Sequence, residues 1–432
     1  MRLGTKKFND SLIIGAALFS MFFGAGNMIF PPFLGFGSGR EWVTGFLGYF
    51  IADIGLVILT LLALVRKNGQ QELLSVSGNG LASFLLFIII MCLGPVISIP
   101  RTAATTYELA ILPVLDEQSF PWFYIVFFAV VLLMCFNKNK VVDIVGKILT
   151  PLLIIGLLVL IFKGIVTPVG NVIEDPRFSN VLGEGIEAGY QSMDVLAAVI
   201  FGALIINSAE DRGYTKDKEK NNIVFLSSII AGAGLLVIYL GLTYLGATAS
   251  TNYTMHISRT ELLTSIIQKL FPGNAGLIFF GIVAGLACLS TAVALVGSAA
   301  EYLEKLFKGK VSYKVFVILI CILDALFATV GVENLVKFAS PLLSLVYPPI
   351  LTIVILSLVS KKLQFFALRL PVYTALICGF YEALSSFGFR IKYIDLLTLN
   401  SVGLFWIFPC VIAFLSGFII DKTINKTKNC RT

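Results

Sequence analysis

The sequence predicts an all-α membrane protein of twelve transmembrane helices, built as an inverted repeat of five plus five helices in which helices 1 and 6 are broken. Three observations support this prediction. Of the 432 residues, 57% are hydrophobic and only 13% are charged, whereas soluble domains carry about 25% charged residues. Apolar segments long enough to cross a bilayer recur along the whole chain. One sequence pattern also occurs in both halves of the chain.

The apolar segments predict the membrane-spanning helices in chain order. The first segment begins like a signal peptide, but its apolar run continues to Phe36, so we predict a retained helix, with cleavage as the alternative. The longest predicted outer loops, near 100–119, 164–190 and 248–274, are too short for a soluble domain. The predicted spans are 11–35, 43–65, 80–99, 120–136, 141–163, 191–208, 222–247, 275–303, 313–330, 335–358, 370–387 and 398–420.

The distribution of basic residues predicts the orientation of the chain. If the N-terminus is cytoplasmic, 23 of the 32 Lys and Arg residues fall in cytoplasmic segments. Basic residues are retained on the cytoplasmic side of multi-pass proteins. We therefore expect both termini to be cytoplasmic, and the net charge of +7 needs no nucleic-acid partner to explain it.

Several classes of function lack their sequence signals. Six of the seven cysteines lie in predicted spans and Cys430 lies in the polar tail, without zinc or disulfide spacing. The single histidine, His256, cannot form an imidazole metal cluster. No phosphate-binding loop of the GxxxxGK[ST] type occurs. We therefore expect no cofactor, no enzymatic activity and no obligatory protein partner. The energy for any uphill transport would come from an ion gradient or from a partner subunit.

An internal repeat predicts the architecture. The segments VDIVGKILTPLL (142–153) and VENLVKFASPLL (332–343) share one gapless pattern at an offset of 190 residues. A shorter match, FGA at 23–25 and at 201–203, pairs span 1 with span 6. A repeat unit of five helices is odd, so the second copy is inverted, which is typical of transporters. The predicted divisions are a first repeat at 1–165, a second at 190–360, and two additional helices with a cytoplasmic tail at 361–432.

The segment FFGAGNMIFPP (22–32) predicts a helix broken at mid-membrane. Gly24 and Gly26 allow the backbone to leave the helix, and Gly202 would do the same in span 6. The freed N–H groups suit a carboxylate, and the freed carbonyls suit a small cation. The alternative is that these small residues serve close helix packing.

Four motifs carry a resemblance to a known family. They are FFGAGNMIFPPFLGFGSG (22–39), GPVISIPRTAATTYE (94–108), FGALIINSAE (201–210) and CLSTAVALVGSAAEYLE (288–304). The chain resembles the branched-chain amino acid transport system II carriers over at least spans 1 to 8, and its hydropathy profile agrees to the end. That family comprises bacterial cation-coupled symporters for leucine, isoleucine and valine within the amino acid–polyamine–cation group. The resemblance implies a multi-pass protein of the bacterial cytoplasmic membrane with the fold of the bacterial leucine transporter.

The resemblance also implies a sodium site between the broken first helix and span 8. The carbonyl ligands would be those of Ser20, Phe23 and Ala287, and the hydroxyl ligands those of Ser290 and Thr291. Helical spacing places both hydroxyls on the face of Ala287, and sodium prefers oxygen ligands. Alternatively, these hydroxyls bond carbonyls of their own helix.

The implied substrate site uses the two breaks. The substrate carboxylate would take the N–H groups of Ala25 and Gly26, and the ammonium group would take carbonyls near Phe201 and Gly202. Phe201 would form a wall of the apolar pocket, and Asn27 would orient the break or help to bind a second cation. The implied substrate-binding residues are Gly24, Ala25, Gly26, Asn27, Phe201, Gly202 and Ala203.

Charged residues at membrane depth are further functional candidates. Any of four acids would relay a proton if the coupling ion is H⁺ instead of Na⁺: Asp53, Asp194, Asp324 and Glu382. The alternative for Asp53 and Asp324 is a structural role, paired with polar groups of neighbouring helices. We interpret Arg101, at the predicted outer end of span 3, as an interfacial anchor. Pairing of Arg101 with Glu108 and gating are the alternatives. A carrier of another neutral solute and an exporter also stay open as functions.

Overall fold

The computed structural model describes residues 2–115, 122–136, 150–359, 364–389, 399 and 402–429, and the regular secondary structure of these residues is helical. We number the α-helices of the described residues in chain order. They are α1 (Arg2–Phe22), α2 (Ala25–Ser38), α3 (Trp42–Phe50), α4 (Leu56–Lys67), α5 (Gln70–Leu74), α6 (Asn79–Met91), α7 (Ser98–Thr106), α8 (Leu112–Leu115), α9 (Trp122–Cys135), α10 (Thr150–Val166), α11 (Val181–Ser192), α12 (Asp194–Asp211), α13 (Asp217–Thr248), α14 (Arg259–Leu270), α15 (Asn274–Leu306), α16 (Tyr313–Phe327), α17 (Val332–Val359), α18 (Phe365–Ser385) and α19 (Ile407–Asn429).

The described helices confirm a multi-pass membrane protein. Eight stretches are long and apolar enough to cross a membrane: Ala25–Arg66, Asn79–Leu115, Val181–Asp211, Asp217–Thr248, Asn274–Leu306, Tyr313–Val330, Val332–Val359 and Ile407–Ile424. Two shorter apolar helices, Trp122–Cys135 and Pro151–Val166, correspond to predicted spans 4 and 5. Parts of predicted spans 4, 5 and 12 lie outside the described residues, so the count of twelve stays a prediction.

The first predicted break lies where the glycines predict it. Helix α1 ends at Phe22 and α2 begins at Ala25, with Gly24 between them in an extended conformation (φ −118°, ψ −159°). A Cβ at Gly24 would lie 2.8 Å from the Thr291 hydroxyl oxygen, so the close approach of α15 requires glycine here. Pro31 and Pro32 lie inside α2 and do not cause the break.

The second break lies at Met193, so its predicted position at Phe201–Gly202 is wrong. Met193 separates α11 from α12 in a left-handed conformation (φ 67°, ψ 13°), and residues 201–203 lie inside the continuous helix α12. A Cβ at Gly202 would lie 2.5 Å from Leu64 Cδ1. Gly202 therefore serves close packing against α4, which was the alternative interpretation of the small residues.

All three predicted outer loops are partly helical, and the region 248–274 contains α14 (Arg259–Leu270). The region 164–190 contains the start of α11, and the segment after residue 99 continues through α7 to Leu115 as one membrane-length stretch. Because span 3 is longer than predicted, Arg101 lies within it and not at its end. The first copy of the internal repeat lies largely in 137–149, outside the described residues, so the inverted symmetry and the domain divisions stay predictions.

Helix α13 packs against the first break and against α3. Its Tyr239 ring lies 5.9 Å from the Phe23 ring and 5.3 Å, edge-on, from the Tyr49 ring of α3. Buried aromatic pairs of this kind contribute about 0.5–1.5 kcal/mol each beyond their buried area. The unwound backbone at Phe23–Gly24 is thus fixed by rigid side chains from neighbouring helices.

Candidate substrate and ion site

Asn27 joins the two helix breaks. Its side-chain Oδ1 accepts a hydrogen bond of 3.4 Å from the Gly24 N–H, which caps the start of α2. Its Nδ2 donates to Asp194 Oδ2 at 2.7 Å and also to the Tyr239 hydroxyl. Because Asp194 is the first residue of α12, one amide side chain connects the new start of one broken helix to the new start of the other.

A second carboxylate lies beside Asp194. Asp53 belongs to a π-helical turn, Ile51–Gly55, between α3 and α4, and such turns are frequent at functional sites. The Ser192 hydroxyl donates to Asp53 Oδ1 at 2.8 Å and accepts from the Asp194 N–H at 3.4 Å. Asp53 and Asp194 are only 1% and 4% exposed, and their carboxyl groups lie within hydrogen-bonding reach of each other. Two buried carboxylates repel each other, so this pair favours a bound positive charge.

Arg101 lies at the second break, so its interpretation as an interfacial anchor is wrong. It is 2% exposed, and it donates to the carbonyl oxygens of Gln191 at 2.8 Å and Ser192 at 3.4 Å. These carbonyls end α11, where the helix dipole favours a cation. A Cβ at Gly26 would lie 2.9 Å from Arg101 Nη2, so the guanidinium group also borders the start of α2.

A small cavity lies between the breaks. Its lining includes Gly24, Ala25, Gly26 and Asn27 from the first break, Ser192, Met193 and Asp194 from the second, and Arg101 and Thr291. The predicted substrate residues of the first break are therefore brought together, whereas Phe201, Gly202 and Ala203 do not line the cavity. Its volume is ≈ 10 Å³, about the room that one water needs. An amino acid can therefore bind only after the lining moves apart.

The predicted cation ligands meet beside this cavity. The Ser290 hydroxyl of α15 bonds to the carbonyl oxygens of Ser20 at 3.0 Å and Ala287 at 2.8 Å. The Thr291 hydroxyl bonds to the carbonyl oxygen of Met21 at 3.2 Å. Ser290 thus reaches a carbonyl of its own helix and the end of α1 at once. The carbonyl oxygens at a helix end lack helical partners and carry partial negative charge, which suits a cation.

The structure shows no hydrogen bond between the predicted ligand Phe23 and the described hydroxyls of Ser290 and Thr291, whereas the Met21 carbonyl, which we did not predict as a ligand, contacts Thr291. The Phe23 ring stacks 5.8 Å from the Phe19 ring and 5.9 Å from the Tyr239 ring, and the Phe23 N–H donates to the Phe19 carbonyl oxygen. Met21 instead provides the oxygen next to Thr291. A signal for Met21 exists in the sequence, since it precedes the GAG segment by three residues and so falls in the last turn of α1.

Two larger cavities lie at the end of the bundle that the charge pattern predicts to be outside. Their volumes are ≈ 320 and ≈ 360 Å³, and Gln191 lines both. Arg259 forms an ion pair of 2.5 Å with Glu333 there, and its guanidinium lies 5.6 Å from the centre of the Phe30 ring. Arg101 lies at the same distance, 5.6 Å, from this ring. Phe30 therefore separates the outer cavity from the small inner one.

The remaining intramembrane acids lie elsewhere. Asp324 on α16 is fully buried, and neither of its carboxylate oxygens has a hydrogen-bond partner among the described residues. Glu382 on α18 lines the larger outer cavity together with Tyr190. Of the four acids, the structure brings Asp53 and Asp194 to the helix breaks.

Comparisons with known proteins agree with this architecture. A family model described as branched-chain amino acid transport protein matches residues 7–424. The branched-chain amino acid permease BraB of Bacillus subtilis (strain 168) is 31% identical over 436 residues, with 97% of each chain covered. The closed structure of Mhp1, a nucleobase-cation-symport-1 family transporter, gives a TM-score of 0.64 at 12% identity, covering 96% of this chain and 93% of that one. MhsT in complex with L-phenylalanine gives 0.53 at 16% identity, covering 94% and 98%.

The structural likenesses confirm the predicted fold class, that of the bacterial leucine transporter, and the family and fold are those of membrane transporters and not of enzymes. The match of the family model to nearly the whole chain confirms the resemblance found in the sequence motifs. This chain belongs to the branched-chain amino acid transport protein family.

Proposed function

We propose that this protein is a secondary active symporter that imports leucine, isoleucine and valine together with Na⁺. It would act in a bacterial cytoplasmic membrane with both termini in the cytoplasm. The observation that carries this proposal is the meeting of two helix breaks at one cavity, beside the predicted cation ligands of α1 and α15. The Bacillus subtilis relative, which is named a branched-chain amino acid permease, supports the substrate class.

The substrate would bind across the two breaks. The N–H groups of Ala25 and Gly26 begin α2 and have no helical acceptor, so they suit the α-carboxylate. The ammonium group would lie at the second break, near Ser192 and Met193, instead of near Phe201 and Gly202. The apolar lining from Met21, Leu93 and Leu295 suits a branched aliphatic side chain.

Sodium would bind as the second transported species. Its ligands would be the carbonyl oxygens of Ser20 and Ala287 and the hydroxyl oxygens of Ser290 and Thr291, with the Phe23 and Met21 carbonyls as further candidates. On binding, the hydroxyls would turn their lone pairs to the ion and release their hydrogen bonds to α1. The ion would then hold α1 against α15 and stabilise the arrangement that binds substrate, which is coupling by differential affinity.

Alternating access would follow from the cavities. The outer cavities are separated from the small inner cavity by Phe30 and the residues around it. Movement of Phe30 would open the site to the outside, and rocking of one group of helices against the other would open it to the inside.

A binding experiment tests this function. Ligands that bind only the folded state raise its stability, by about 2.7 kcal/mol at one hundred times Kd. We expect leucine, isoleucine and valine to raise the unfolding temperature of the purified protein in NaCl and to do so much less in KCl. Stabilisation by a different neutral solute but not by these three would favour the alternative substrate.

Proton coupling is a second candidate, and the buried carboxyl pair favours it. Asp53 and Asp194 would share one proton, since two neighbouring buried carboxylates are costly when both are charged. In that case the stabilisation by leucine would need no Na⁺ but would depend on pH. An exporter would use the same site, so only transport in a defined direction distinguishes it.

A further inference from the structure

We propose that Arg101 and Asp194 recognise the two charges of a zwitterionic amino acid, with Arg101 binding the carboxylate and Asp194 the ammonium group. This inference rests on the proposed amino acid transport and deepens it. It assigns substrate recognition to two side chains in addition to the backbone of the helix breaks.

Arg101 has an unused capacity for a carboxylate. It lines the small cavity and is almost fully buried, and its guanidinium Nε has no hydrogen-bond partner among the described residues. Its other donors reach only neutral carbonyl oxygens, those of Gln191 and Ser192. A buried guanidinium without an anionic partner is costly. Its planar fork matches a carboxylate, and Arg101 Nη2 borders Gly26, where the free N–H groups of α2 begin.

Asp194 has the matching need for a cation. It lines the same cavity, and the described side chains that donate to its Oδ2, those of Asn27 and Tyr239, are neutral. Asp53 lies behind it, and even when the two carboxyl groups share one proton the pair keeps one negative charge. Among the described residues, no Lys or Arg lies within ion-pair distance of either carboxylate.

The opposite charges of Arg101 and Asp194 therefore share one cavity without pairing with each other. Arg101 is held away by the end of α11, and Asp194 is held away by Asn27 and Tyr239. A zwitterion brings both missing partners in one molecule.

The test compares three ligands of the same aliphatic shape on the purified, full-length protein. Leucine carries both charges, leucinamide lacks the carboxylate, and 4-methylpentanoate lacks the ammonium group. Dissociation constants are measured from ligand-induced thermal stabilisation. A site that pairs a buried charge with the ligand rejects a ligand without the partner group. We expect the wild type to prefer leucine at least about 100-fold over either analogue, which corresponds to about 2.7 kcal/mol.

The variants should change these preferences selectively. Arg101→Gln is expected to reduce the preference for leucine over leucinamide at least about tenfold, with little change in the preference over 4-methylpentanoate. Asp194→Asn should produce the opposite pattern. Arg177→Gln is a matched control, because Arg177 also donates to carbonyl oxygens, those of Ser250 and Tyr253, and does not line the cavity. Asp324→Asn is the control for a buried acid.

Several results would overturn the inference. If wild-type protein binds leucinamide as tightly as leucine, Arg101 does not bind the carboxylate, and this holds even if Arg101→Gln does not fold. Equal binding of 4-methylpentanoate excludes Asp194 in the same way. Variants that bind leucine with unchanged preferences overturn this inference alone. A folded wild type that binds no zwitterionic amino acid overturns the proposed function as well.

Discussion

At the scale of single residues, the account depends on Gly26 and on the hydroxyls of α15. We predict that Gly26→Leu abolishes leucine uptake without preventing membrane insertion. A Cβ at Gly26 would lie 2.9 Å from Arg101 Nη2 and 3.1 Å from a Phe30 ring carbon, so a leucine side chain would fill the cavity. Uptake and the amount of protein in the membrane are measured in the same cells. If this variant takes up leucine as fast as the wild type, the first break does not bind the substrate.

The hydroxyl ligands give a second residue-scale prediction. Ser290→Ala combined with Thr291→Val should raise the Na⁺ concentration for half-maximal uptake at least about tenfold, or ~1.4 kcal/mol. Both hydroxyls reach the carbonyl end of α1, where the ion would bind. Ser298→Ala is the matched control, since Ser298 on the same helix bonds only to its own helix at Ala294. The same Na⁺ dependence in the double variant and in the control would exclude this ion site.

At the scale of helices, the second break depends on the left-handed conformation of Met193. A β-branched residue adopts this conformation at a cost of about 1–3 kcal/mol. We therefore predict that Met193→Ile lowers the unfolding temperature and impairs uptake. Met28→Ile is the control, because Met28 is equally buried but lies within the regular helix α2. Equal effects of the two substitutions would mean that the loss results from side-chain shape and not from the backbone of the break.

The two breaks differ in how far the sequence predicts them. Gly24 and Gly26 mark the first break, because glycine is the common residue where a helix unwinds. Met193 carries no such signal, and the FGA match therefore led us to predict the second break at Gly202. Glycine at position 202 instead allows close packing against Leu64. The Ser290–Thr291 pair was predictable because adjacent hydroxyls are conspicuous in an apolar helix. The cluster of Asn27, Asp53 and Asp194 joins residues far apart in sequence, which only the folded chain brings together.

The position of Arg101 could not be predicted from the sequence, for a different reason. Hydropathy ends span 3 before this residue, and a basic residue at a span end is typically an interfacial anchor. The helical stretch instead continues to Leu115, because the end of α11 provides carbonyl acceptors for the guanidinium group inside the bundle. The position of Arg101 depends on carbonyl acceptors from another helix, and the sequence around Arg101 gives no sign of these acceptors.

At the scale of the whole molecule, the charge pattern predicts which end of the bundle faces outward. Asn252 lies in an exposed turn after α13, and Lys218 is exposed near its start. We predict that a membrane-impermeant maleimide added to intact cells labels Asn252→Cys but labels Lys218→Cys only after the cells are opened. The reverse labelling pattern would mean that the orientation in the membrane is opposite to the predicted one, with the larger cavities on the cytoplasmic side.

Coupled transport is the central claim, and it also belongs to the whole molecule. Radiolabelled leucine uptake into proteoliposomes that contain the purified protein tests it most directly, with an inward Na⁺ gradient in one set and an inward H⁺ gradient in another. The account predicts accumulation driven by the Na⁺ gradient and lost in the Ser290→Ala, Thr291→Val variant. Accumulation driven by H⁺ alone would contradict the sodium site and assign coupling to Asp53 and Asp194. Folded protein that accumulates no leucine under either gradient would contradict the proposed import of branched-chain amino acids.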